Sequence, residues 1–125
     1  MLSKAQILKA RKAVEELYTG TCRVTEHQKV KDEESKLTTY ADRVVMENQP
    51  CRLTFKSADT AGRKETAVSV AQTVKMLISP DVVIRPGSKI TVTQNGVTTD
   101  YTYSGVPAVY QTHQEITLQL FERWA

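Results

Sequence analysis

Reactive residues are scarce in this chain. It carries two cysteines, two histidines and one tryptophan. Cys22 and Cys51 have no Cys-x-x-Cys spacing and no neighbouring histidine pair, so metal, redox and nucleophile roles are poorly supported. Each instead shares a strand face with apolar residues, Cys22 with Val24 and Cys51 with Leu53 and Phe55, as small buried hydrophobes do. No Walker loop, G-x-S-x-G, H-E-x-x-H or glycine-rich phosphate loop is present. No apolar run approaches the about 20 residues of a spanning helix, so no membrane contact is expected. Met1–Gln6 lacks the layout of a signal peptide, which points to a protein kept in the cytosol or packed from there into a particle. The excess of 17 basic over 14 acidic residues, net +3, permits contact with a polyanion without arguing for it.

Hydrophobic residues make up 40% and charged residues 25% of the 125 positions, the make-up of one folded domain spanning residues 1–125. The strongest local signal is a β-hairpin around Asn95-Gly96. Asn-Gly suits a two-residue turn with positive φ at both positions. That turn sets Ile90 opposite Tyr101 and Val92 opposite Thr99 on one face, with Thr91, Thr93, Thr98 and Asp100 on the other. Pro86-Gly87 fits the centre of a type II turn leading into it.

Ser3-Lys4-Ala5-Gln6 is a capping box, followed by Ile7, Ala10, Val14 and Leu17 at helical spacing. A helix over 3–19 stopped by Gly20 is expected, its apolar stripe covered by the rest of the chain or by a neighbouring subunit. After it come strands at 21–28, 37–46 and 51–56, with Asn48-Gln49-Pro50 as a turn. The charged run Lys29–Lys36 reads as an exposed hairpin loop. Residues 57–66 have no periodicity and read as a long loop, basic in its second half. Strands follow at 68–78, in the two arms of the hairpin within 85–103, around Val109-Tyr110 and over 115–121. One helix and about eight short strands predict a mainly β fold, a small antiparallel β-barrel or sandwich occupying 21–122 behind one N-terminal α-helix.

The candidate acid-base groups are weak. Glu115 alternates with Ile116 and Leu118 and so points to solvent, leaving His113 without an oriented partner. His27 reads as solvated, and Asp100 faces Thr91 on the polar side of the hairpin. No catalytic residue, cofactor or metal site is assigned, and no enzyme is expected. Trp124 is either folded back on the core or offered to a partner.

Five segments in order resemble a known group: Asn48-Gln49-Pro50-Cys51-Arg52-Leu53, Lys75-Met76-Leu77-Ile78-Ser79-Pro80, Pro86-Gly87-Ser88-Lys89-Ile90, Thr93-Gln94-Asn95-Gly96 and His113-Gln114-Glu115-Ile116. Together they are similar to short proteins of prophage and siphophage head-tail modules, named minor capsid, head-tail connector or head-completion (stopper) proteins. The resemblance spans nearly the whole chain. It implies a small β-barrel that is a monomer or ring in isolation and a ring, usually dodecameric, in the virion. That ring lies below the portal and adaptor, closes the double-stranded DNA channel and receives the tail completion protein. It further implies a virion location at the head-tail interface, after assembly in the host bacterial cytoplasm. By position, Ser57, Asp59, Gly62, Arg63 and Lys64 would belong to a channel loop, with Arg63 and Lys64 near DNA phosphates. Lys31, Asp32, Glu33 and Trp124 would be protein-interface candidates. The leading helix exceeds a minimal stopper barrel, which leaves stopper and neighbouring connector component both open. The alternative from the residues alone is a monomeric small β-barrel that binds nucleic acid or peptide.

Overall fold

The computed structural model describes residues 2–59 and 70–124. Helix α1 (Lys4–Glu15) begins as the capping box requires: Ser3 Oγ accepts from the Gln6 amide and Gln6 Oε1 accepts from the Ser3 amide. It is shorter than expected, because at Leu17 and Tyr18 the amides reach back only three residues, to Val14 and Glu15, and the last turn tightens and ends. Gly20 is not the helix stop. It is the buried first residue of β1 (Gly20–Lys31).

Two of the expected strands and the turn between them are one element. β2 (Thr38–Asp59) runs for 22 residues and antiparallel to β1. Its pairing steps from Gln49 to Met46 while β1 advances from Cys22 to Val24, and from Met46 to Val44 while β1 advances to Thr25. Each step leaves one extra residue on β2, so the strand is bulged twice. Asn48, at φ 53, supplies the left-handed turn of backbone that such a kink uses. Pro50 sits opposite Thr21 just past the bulge, where the loss of an amide is tolerated. A turn sequence thus bends a strand without ending it.

β3 (Val70–Ile78) pairs with the second half of β2, from Cys51↔Ile78 to Asp59↔Val70. Ser57, Ala58 and Asp59 are therefore strand residues rather than part of a loop, while Gly62, Arg63 and Lys64 lie outside the described residues. Likewise Lys29–Lys31 belong to β1, and the charged turn is confined to 32–37. β4 (Lys89–Gln94) and β5 (Val97–Thr102) form the expected hairpin in the expected register, Gln94↔Val97, Val92↔Thr99 and Ile90↔Tyr101. Its polar face is tied by Thr91 Oγ1 donating to Asp100 Oδ1 at 2.6 Å and by the Thr93 and Thr98 hydroxyls at 2.8 Å. β6 (Ala108–Val109) is a two-residue edge against β7 (Gln114–Leu120).

The sheet order is β3-β2-β1-β4-β5-β7-β6, and β3 also pairs with β7. The sheet therefore curls back on itself into a body between sandwich and barrel, short of pairs only at the two-residue β5–β7 junction. Inside it pack Cys22, Val24, Cys51, Met76, Ile78, Ile90, Val92 and Ile116, all with almost no exposure. The neighbouring Cys22 side chain and burial together hold the Cys51 thiol protonated far above the ordinary thiol range. Both cysteines are core residues, as their spacing suggests.

Two side chains complete the body where backbone pairing fails. Gln94 reaches across the barrel corner, accepting from Leu53 N at 2.8 Å and donating to Leu53 O at 3.2 Å, in place of a strand that has run out. It passes over Gly20: a Cβ there would meet Gln94 Oε1 at 3.1 Å and the carbonyls of Cys51 and Thr93 at 3.2 Å. The absence of a side chain at residue 20 admits the Gln94 bridge. Gln114 plays the same part beneath the 79–82 turn, donating to the Ser79 carbonyl at 2.8 Å and to that of Val82.

Gln94→Leu leaves the Leu53 amide and carbonyl without partners and should cost about 2 kcal/mol, read from the shift in urea midpoint at unchanged slope. A second prediction concerns Tyr103, whose hydroxyl donates to the Ile84 carbonyl. Burial raises its pKa above the ordinary tyrosine value. The unfolded chain then loses this proton first, so the contribution to stability is complete below about pH 10 and declines as pH rises through the folded value. Tyr103→Phe should flatten the alkaline fall in melting temperature.

Candidate functional site

Two ribbons leave the body from the two ends of β2. In the first, Glu26–Lys31 pair only with Thr38–Arg43, since β4 follows β1 no further than Thr25. In the second, Lys56–Asp59 pair only with Val70–Thr73, since β7 meets β3 only from Val74 onward. A 22-residue strand at ~3.3 Å per residue reaches about 70 Å if straight, well beyond the width of a 125-residue domain, so such projection follows from its length.

The first ribbon ends in a shaped turn. Asp32 accepts from the Glu34 amide and the Ser35 hydroxyl, both at 3.0 Å, and its carbonyl accepts from Lys36 N at 2.7 Å. Lys36 takes a φ of 58 to close the loop. Of the sequence-level interface candidates, Lys31, Asp32 and Glu33 thus meet at this tip, with Glu33 exposed and Asp32 committed to the turn. Trp124 is elsewhere, at the ribbon's root.

That root holds an aromatic stack that local reading missed. His27 pairs with Asp42 across the ladder, Nδ1 to Oδ1 at 2.8 Å. Its ring lies between Tyr40 (centroids 4.7 Å apart, planes within 6°) and Trp124 (4.9 Å, 12°). Phe121 meets Trp124 edge-on at 4.9 Å, and Lys89 Nζ stands 5.0 Å over the Phe121 ring. His27 is therefore half-buried, not solvated, and Trp124 folds back onto the ribbon rather than into the core. The signal that could have found this is the alternation of His27 and Lys29 opposite Asp42 and Tyr40. The Trp124 contact has no local signal at all. Beside the stack opens a groove of about 570 Å3, lined among others by Lys29, Tyr40, Arg85, Ser88 and Trp124. It combines cations with aromatic faces, which suits a polyanion with flat bases or an acidic peptide.

His113 and Glu115 do meet, Nε2 to Oε1 at 3.4 Å, with Tyr110 stacked on the imidazole at 4.9 Å. Ile116 and Leu118 are inward, so Glu115 takes the opposite face as alternation requires, though His113 half-covers it. The Asp100 carboxylate is tied to Thr91. Among the described residues no three His, Cys, Asp or Glu side chains gather as metal ligands do, and no helix is long and apolar enough to cross a membrane.

The fold and these surfaces define a small curled antiparallel β body with two projecting ribbons and one peripheral helix. No protein-family model matches the chain, and no curated protein matches it. Among solved structures, the phage-like element PBSX protein xkdH from Bacillus subtilis shares this fold with a TM-score of 0.50. The two are 14% identical, and the match covers 80% of this chain and 91% of that one.

His27→Ala removes the middle ring of the stack. Trp124, the single tryptophan, should then emit at longer wavelength and quench more readily with iodide, with a stability loss of about 1 kcal/mol.

Proposed function

We propose that this chain is a non-enzymatic structural component of a tailed-phage head-tail connector, a ring member below the portal and adaptor that closes the DNA channel and joins the tail. The observation that carries the reading is the fold shared with a protein of a phage-like element along most of both chains. The five sequence segments that resemble connector proteins support it. So does the placing of a ribbon at either end of β2, which gives one subunit two separate reaches from a compact body. In this reading the β2–β3 ribbon carries the segment 60–69, with Arg63 and Lys64, toward the channel. The β1–β2 ribbon faces a protein neighbour. Charge in the segment is small in one copy and is multiplied by ring symmetry.

A second reading has one specific observation in its favour. The groove beside Trp124, with Lys29, Arg85 and stacked aromatic rings, has the make-up of a binding site for nucleic acid or peptide on a monomeric β-barrel module.

The test adds purified protein to DNA-filled, tailless heads that lack it and scores DNA retention and tail joining. Wild type should restore both. A variant lacking residues 60–65, which spares the paired part of β2, should dock and still leak DNA. Failure of wild type to associate with heads would sink the connector reading in favour of the monomeric module.

A further inference from the structure

Helix α1 is thinly covered. None of its residues is buried, and it is tied to the body by Arg11, whose Nε donates to the Gln111 carbonyl at 2.7 Å and whose guanidinium pairs with Asp81 at 3.0 Å. Its body-facing stripe, Ile7, Ala10, Arg11 and Val14, is only half-buried, as is Tyr18 just past its end. Beside that stripe Leu8 is 63% exposed, with Lys4 and Lys12 one turn to either side of it and Lys9 adjacent. The tip of the β1–β2 ribbon leans the other way: Leu37 is 65% exposed, and Asp32, Glu33 and Glu34 surround the turn that it closes, three carboxylates between Lys31 and Lys36. Among the described residues the charge pairs are Arg11–Asp81, His27–Asp42 and His113–Glu115, so Lys4, Lys9, Lys12, Glu33 and Glu34 have no ionic partner.

These two surfaces cannot cover each other within one chain. The helix leads into the start of β1, and the tip stands at its far end, twelve residues or about 35 Å along a paired strand. We infer that the acidic ribbon tip of one copy docks on the lysine-flanked outer face of α1 of the next, with Leu37 against Leu8. This is a head-to-tail contact between two different patches, the kind that repeats around a ring when the rotation closes. It names the neighbour in the ring reading above and rests on that reading for its setting, but the contact itself is a property of the free chain. Few exposed pairs and one small apolar contact make it weak in isolation and effective only when many copies are gathered.

A charge exchange tests it. K4E/K9E/K12E reverses the helix face, and E33K/E34K reverses the tip. All five positions are exposed, and matched melting temperatures verify that both variants fold. Carbodiimide cross-linking of mixed isotope-labelled and unlabelled wild type should join Glu33 or Glu34 of one copy to Lys4, Lys9 or Lys12 of another. Each variant alone should lose these cross-links, because a carbodiimide joins an amine to a carboxylate and the two faces then carry the same group, which also repels its like. An equimolar mixture of the two variants should regain it, since the unaltered tip of the first meets the unaltered helix of the second, and the reversed tip meets the reversed helix. Absence of these cross-links in wild type, or a mixture no better than either variant, overturns the contact. So does salt-sensitive binding of the wild-type helix face to a short DNA duplex without self-cross-linking, which would make a polyanion its occupant. Restored heads without the cross-links would leave the connector reading standing and the contact refuted. Cross-links without restored heads would do the reverse.

Discussion

The continuity of β2 through its bulges is the constraint on which the rest of the structure depends. Extra residues on one strand increase its twist and bend it, and here two such steps fall within five residues of each other. Ahead of them the strand runs beside β1, and beyond them beside β3. Only because the second half has turned does β3 come within reach of β7, and only that pairing brings the sheet round on itself. At the corner, the ladder cannot supply every backbone partner. Gln94 replaces the missing strand with a side-chain amide, and Gly20 leaves the space for it.

The same strand explains why the molecule has two kinds of surface. Between the bulges and Phe55 its residues help enclose a dry core of small and medium side chains. Past either end of that region there are two strands and no second layer, so apolar residues such as Val30 and Tyr40 remain exposed. A two-stranded ribbon in water is marginal by itself. The first one is braced by the turn at Asp32 and by the Tyr40–His27–Trp124 stack at its root. A braced projection of this kind suits a protein that meets neighbours at a distance from its own core. The aromatic groove at the root and the charged tip are then different devices, one built of flat faces, the other of formal charge.

Much of the fold was legible because the rules involved are local. The register of β4 and β5 follows from two residues, Asn95 and Gly96, whose turn type sets which side chains face each other. The start of α1 follows from Ser3 and Gln6. The inward face of β7 follows from alternation of Ile116 and Leu118. Less was legible where the same residue types have two local meanings. Asn48-Gln49-Pro50 has the composition of a turn and is used as a bulge, because the partner strand β1 continues past it. Ser57 and Asp59 have loop composition and are held in β2 by β3. Gly20 has the composition of a helix stop and is used for close approach. Of the site, the exposed acidic tip at Asp32 and Glu33 was visible as a charged run, whereas the stack on His27 was not.

What the sequence determined by itself is the class of fold, the central hairpin, the helix cap and the burial of the two cysteines, since each depends on neighbours within a few residues or on period-two alternation. Only the tertiary structure decided that β2 is one bent strand, that the sheet meets itself at β3 and β7, that Trp124 covers His27 and that the helix and the ribbon tip stand at opposite ends of β1. These depend on which distant backbone atoms still lack partners once the local ladders have formed. A chain satisfies those atoms by geometry in three dimensions, which no window of sequence contains.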